Sequence, residues 1–247
     1  MINAQTTVRE VALQMPESTR IFEKLKIDYC CGGDQPLSKA CASAGIELNH
    51  MMEMLDGITP SKPQNATALN FENIPELIEH IVTTHHVFTK AEMNRLDALT
   101  EKVIAAHGGN HPELVQLGNF FKMLCADLTP HMFKEEQVLF PFIIAMTKAG
   151  EQNQPMPFAP FGTVNNPVRM MMREHDVAGQ ILRELRALTS DYRVPADACV
   201  SYRTLFAGLE NLEKDLHQHI HLENNVLFPK AVDLEESLIS RMNGRGH

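Results

Sequence analysis

Apolar residues along the chain fall into long stretches of helical pattern, separated by a few joins rich in proline, glycine and asparagine. Residues 1–57 read as a small helical unit. Thr7 can cap a first helix, and Pro16 can open a second that runs through Ile21, Phe22 and Leu25. Asp28-Tyr29-Cys30-Cys31-Gly32-Gly33 then interrupts the pattern. Its glycines permit backbone angles that other residues resist, which predicts a tight turn displaying two adjacent cysteines. Two short helices follow, one after Pro36 and one around Glu47 to Leu55. Residues 58–72 contain Thr59-Pro60-Ser61-Lys62-Pro63 and almost no apolar content, and read as a linker.

Residues 73–247 carry four long helical patterns. The first spans about 74–106, with Asn73 as cap and Pro75 in its first turn, and stops at His107-Gly108-Gly109. The second begins near Pro112, is expected to kink at Pro130, and bends or ends a turn at Pro141. A polar connection over 148–166 leads to Asn165-Asn166-Pro167, read as a cap with proline at the first position. The third helix runs to about 189 and the fourth covers about 196–239. The predicted fold is all-α: a small helical domain, then an antiparallel four-helix bundle in up-down-up-down order.

Within the bundle one pattern occurs twice. His131-Met132-Phe133-Lys134-Glu135-Glu136-Gln137-Val138-Leu139-Phe140-Pro141 returns as His219-Ile220-His221-Leu222-Glu223-Asn224-Asn225-Val226-Leu227-Phe228-Pro229. Six identities hold register at an offset of 88, the distance from 131 to 219. On a helix, residues four apart lie on one face, so each copy presents an imidazole beside a carboxylate. Two such faces turned inward would supply two nitrogens and two carboxylates to a common point, as metal sites in bundles do.

The other two helices offer His80, His85 and His86, and His175. The offset decides between them, since His86 lies 89 residues before His175. The expected ligands are therefore His86, His131, Glu135, His175, His219 and Glu223. Four imidazoles and two carboxylates suit two cations, with a glutamate bridging. Nitrogen and oxygen donors without thiolate favour iron or manganese over structural zinc. Six protein ligands leave open positions where hydroxide, O₂ or NO could bind. His85 aligns with Glu174, and both are expected to fix a ligand ring or carry protons from outside it. His217 and His221 should face away from the site, and His80, His107 and His111 should be surface residues.

Composition narrows the function. The net charge of −9, with no basic run, argues against a nucleic-acid partner. No apolar run approaches the ~18 residues of a membrane span, and the first ten residues lack signal-peptide character. Five cysteines without framework spacing read as reduced thiols of a cytosolic protein. Cys41, Cys125 and Cys199 are expected to be structural. For Cys30 and Cys31 residue chemistry leaves two readings open: thiols that exchange disulfides or transiently hold iron, or a structural turn whose thiols pack inward.

The ligand set His86, His131-x-x-x-Glu135, His175 and His219-x-x-x-Glu223 resembles that of hemerythrin-like di-iron domains. The Asp28-to-Gly33 stretch resembles the signature of the small N-terminal domain of the repair-of-iron-centres proteins. Hemerythrins proper carry more imidazole and an Asp in place of the second Glu, which argues against simple O₂ carriage here. The resemblance implies a cytoplasmic protein with two non-haem iron ions, bridged by carboxylate and an oxo or hydroxo group. It implies induction by nitrosative or oxidative stress, repair of damaged or apo iron–sulfur proteins, Cys30 and Cys31 as functional thiols, and a homodimer. Three functions are compatible: an iron-donating repair factor, an enzyme that reduces NO or transfers a nitrosyl, and a passive O₂ or NO sensor or iron store. A thiol domain fused to the metal domain favours the donor, since a sensor or store needs no exposed thiols, whereas turnover of NO with a supplied reductant would promote the enzyme.

Overall fold

The computed structural model describes residues 2–58 and 73–244; the expected 58–72 linker lies outside them but for its first residue. Eight helices and no strand occur among the described residues. The first unit holds α1 (Val8–Gln14), α2 (Ser18–Leu25), α3 (Leu37–Ser43) and α4 (Leu48–Asp56). Thr7 does cap α1: its hydroxyl accepts from the Glu10 amide at 3.2 Å, and Glu10 accepts from the Thr7 amide at 2.8 Å. This reciprocal box satisfies two amides that a helix start leaves unpaired. Val8, Phe22, Leu37, Met51 and Leu55 fill a core belonging to this unit alone.

The bundle has four helices, three of them interrupted by one π turn. α5 runs as Ile74–His80, a π turn Ile81–His86, and Val87–His107. α6 runs as Glu113–Lys134, a π turn Glu135–Leu139, and Phe140–Glu151. α7 is continuous, Asn165–Leu188, and α8 runs as Val200–Leu222, a π turn Glu223–Leu227, and Phe228–Gly244. α5 packs on α6 and α8, and α6 packs on α7. Two apolar layers fill the interior. One gathers Leu96, Phe121, Leu128, Leu182 and Leu212, and the other Leu77, Ile81, Phe140, Met171 and Phe228. On every helix the expected ligands fall between members of the two layers.

Three details differ from the sequence reading. α6 does not end at Pro141 but continues to Glu151, and Pro229 is likewise passed by α8. Each proline follows a π turn, where the hydrogen-bond register slips from five residues to four, so its missing N–H falls at a break in the ladder. α7 starts earlier than expected: Val164 is its cap, and the Val164 amide donates to Glu235 of α8 at 2.8 Å. α8 begins at Val200, after a turn in which the Ala198 amide bonds Pro195. No helix among the described residues is long and apolar enough to cross a membrane.

Candidate metal centre

The π turns set the position of three of the six expected ligands. His86 ends one, and Glu135 and Glu223 begin the other two. Single π turns inside α-helices concentrate at functional sites because one extra residue re-aims the side chains around it. His131 and His219 lie one α-turn upstream of the glutamates, and His175 comes from the continuous α7.

All six side chains meet, and all are buried. They form two groups of four, His86-Glu135-His219-Glu223 and His131-Glu135-His175-Glu223, so both glutamates belong to both groups. Each group takes one imidazole from each half of the repeat. The Nε2 atoms of His86 and His219 are 3.0 Å apart, as are those of His131 and His175. Glu223 turns Oε1 towards His219 at 3.0 Å and Oε2 towards His175 at 3.1 Å. Glu135 Oε2 lies 3.3 Å from His131 Nε2 and 3.5 Å from His86 Nε2. Yet both Glu135 oxygens and Glu223 Oε2 have no hydrogen-bond partner among the described residues. Buried carboxylate oxygens are costly when unpaired. Oxygens and ring nitrogens crowded around two shared points, three of the four carboxylate oxygens lacking a hydrogen-bond partner, are what a pair of cations would satisfy.

The outer nitrogens of three rings fix their tautomers, whereas His219 Nδ1 has no hydrogen-bond partner among the described residues. His86 Nδ1 faces Glu136 Oε1 at 2.7 Å, with Lys90 on the same carboxylate at 2.6 Å. His131 Nδ1 faces Glu174 Oε2 at 2.8 Å, and Lys134 pairs with that carboxylate. His175 Nδ1 faces Asn224 Oδ1 at 2.8 Å. The Asn224 amide is oriented by donating Nδ2 to the Cys30 carbonyl at 3.4 Å. Acceptors at Nδ1 leave the Nε2 lone pairs pointing inward, the arrangement that metal-ligating histidines adopt. Glu174 thus bonds one of the six rings directly, while His85 does not. It stacks parallel to the His219 ring at 5.7 Å and directs Nδ1 to Asp215 at 3.0 Å. Glu136 and Asn224 were not anticipated, although they sit at the same 88-residue offset, each directly after its glutamate.

The charges of the cluster follow from burial and crowding. Burial opposes a proton on His86, but Glu135 and Glu223 outweigh it and hold its pKa up at about 10. His175 is likewise pushed to about 9 against burial, chiefly by Glu223. Burial and the adjacent His175 drop His131 to about 4, and burial with Glu223 raises Glu135 to about 7. One proton per imidazole pair thus stands where a cation would neutralise the carboxylates.

The cysteine turn is not displayed to solvent. Cys30 is buried and Cys31 half-buried, because the turn docks on the bundle. Asn225 Nδ2 donates to the Tyr29 carbonyl at 3.1 Å, and Cys31 Sγ lies 3.8 Å from the His175 carbonyl. Gly32 and Gly33 do not use positive φ. Gly33 is needed for closeness instead, since a Cβ there would come 2.8 Å from the Tyr29 carbonyl. His217 and His221 do face away from the cluster, and they meet the first unit. His217 Nδ1 lies 2.9 Å from Glu23, and the His221 ring sits 5.3 Å from that of Tyr29. Cys41 lies in the first unit's core, whereas Cys199 is exposed at the start of α8.

Imidazoles and carboxylates buried between two apolar layers of a helical bundle point to a metal-binding bundle protein. The chain belongs to the hemerythrin HHE cation binding domain family, whose model matches residues 77–231. Residues 4–58 match ScdA_N, a domain of unknown function. Similar proteins include the iron-sulfur cluster repair protein ScdA of Staphylococcus haemolyticus, 31% identical over 93% of this chain and 99% of the relative. A probable iron-sulfur cluster repair protein of Haemophilus influenzae is 33% identical over 93% of this chain and 98% of its own. The iron-sulfur cluster repair protein YtfE of Escherichia coli is 32% identical over 90% and 94%.

Proposed function

We propose that the chain is a cytoplasmic di-iron protein that helps restore iron–sulfur clusters damaged by nitrosative or oxidative stress by donating iron. The observation that carries this reading is the sharing of Glu135 and Glu223 between two imidazole pairs, which suits two cations bridged by carboxylate. His86 and His219 would hold one iron, and His131 and His175 the other. Bound iron would supply an exchangeable ion and open positions for NO or O₂. The chain's own residues orient and exclude: Glu136, Glu174 and Asn224 hold three rings in register, and the apolar layers keep bulk water from the cluster. The repair names of the relatives support iron–sulfur proteins as partners, and the thiol turn against His175 supports Cys30 and Cys31 as the exit for iron.

The test mixes loaded protein with an apo iron–sulfur acceptor and follows cluster absorbance. Cluster should form, and Cys30→Ser with Cys31→Ser should leave the loading of the His/Glu cluster intact while slowing transfer. If the iron is inert towards the acceptor while NO is consumed catalytically, the donor reading fails and an NO-reducing enzyme takes its place.

A further inference from the structure

The turn that docks on α7 gathers three donor atoms of different chemistry from the bundle's. Asp28, Cys30 and Cys31 each offer one ligand atom, all within 4.8 Å of one another. The two Sγ atoms are 3.7 Å apart, and Asp28 Oδ1 is 3.4 Å from Cys30 Sγ. A tetrahedral ion with metal–sulfur bonds of about 2.3 Å spans about 3.8 Å between sulfurs, and about 3.5 Å from sulfur to an oxygen bound at about 2.0 Å. The observed spacings match both edges. A disulfide would need its sulfurs at about 2.05 Å, and both thiols are free. The amides of Cys30 and Cys31 donate to Asp28 Oδ1 at 3.1 and 2.9 Å, so the turn is braced in this form without any ion. The Asp28 side chain is 34% exposed, with Arg183 Nη1 3.6 Å from its outer oxygen, so solvent reaches this carboxylate.

We propose that Asp28, Cys30 and Cys31 form a third cation site, separate from the His/Glu cluster, for a divalent ion of borderline softness such as ferrous iron, cobalt or zinc. Binding makes two metal–sulfur bonds and one metal–oxygen bond. The two thiol protons leave to solvent, a water completes the tetrahedron, and no electron moves. The site adjoins the bundle cluster through two contacts to one residue: Cys31 Sγ on the His175 carbonyl, and Asn224 between the Cys30 carbonyl and the His175 ring. It holds an ion whether or not that ion is passed on, so it stands apart from iron donation.

Full-length protein carrying its bundle metal is titrated with Co²⁺ in the absence of oxygen. One further equivalent should bind and produce a thiolate-to-cobalt charge-transfer band, which imidazoles and carboxylates cannot produce. Cys30→Ser and Cys31→Ser should each abolish the band, and Cys199→Ser should keep it. Asp28→Asn keeps the oxygen that braces the turn and should weaken binding by more than the about tenfold that losing an outer partner costs. In the unsubstituted protein, cobalt should protect Cys30 and Cys31 from alkylation, a readout that needs no variant to fold. A parent protein without the band, a band that survives the Cys30 and Cys31 substitutions, or one lost in Cys199→Ser would overturn the site.

Discussion

Glu135 and Glu136 are neighbours with opposite situations. Glu135 is buried with neither oxygen hydrogen-bonded among the described residues, whereas Glu136 accepts from His86 and Lys90. Glu135→Ala should therefore remove metal, since it takes a donor from both groups of four. Glu136→Ala should keep both ions at saturation but weaken retention by about ten- to a hundredfold, the usual effect of losing an outer partner. Metal analysis after dialysis against graded chelator separates the two, and equal behaviour would show that the glutamates are not distinguished as argued. The thiols are also differentiated residue by residue. Hydrogen bonds from the Tyr202 amide and His107 bring exposed Cys199 down to about 7, while burial pushes Cys125 up to about 11. Thiolate is the reactive form, so iodoacetamide at pH 7 should label Cys199 well before Cys125. The Cys199 rate should climb between pH 6 and 8 and level off above, as peptide mass spectrometry would record.

At the scale of elements, the repeat made the buried His/Glu cluster legible, because one offset constrains two motifs and two lone histidines together. The helix order and several caps were legible too, Asn73 and Thr7 among them. The π turns were not: a one-residue register slip leaves the same residue types in the same order. Nor was the docking face, whose contacts join residues 194 and 196 apart and leave no periodic trace. That face now gives His217 and His221 a role. Their alanine variants should keep full metal content but lower the unfolding midpoint by loosening the first unit. Burial disfavours charge on His217, but its contact with Glu23 outweighs this and raises its pKa above the ordinary 6.5. A raised folded pKa stabilises fully below the unfolded value and is lost as pH climbs through the folded one. The stability gap between the parent and His217→Ala should accordingly be widest below about pH 6.5 and narrow as pH rises, as denaturant midpoints would measure. A gap that widens with pH would mean that the Glu23 contact is not what charges His217.

The whole molecule has separate cores joined by a seam of polar and ring contacts. The first unit's core draws only on residues 2–58, and the bundle's two layers only on residues from 74 onward. A fragment beginning near Thr67 should therefore fold and bind metal while failing to build cluster on an apo iron–sulfur acceptor. It should not bind both ions equally well. The two outer settings differ: His86 leans on an anionic Glu136 held by Lys90, but His175 leans on a neutral Asn224 held by the Cys30 carbonyl. Removing the first unit frees the Asn224 amide and the His175 carbonyl together, and leaves the His86 side untouched. One ion of the fragment should then pass to a mild chelator at least about tenfold faster than in the full chain, with the other unchanged. Asn224→Asp in the fragment places a carboxylate where Glu136 stands in the other half, and should restore the slower loss. Chelator absorbance over time resolves the two phases. Identical phases in fragment and full chain would show that the first unit takes no part in holding the ion, and would leave lability to the bundle alone.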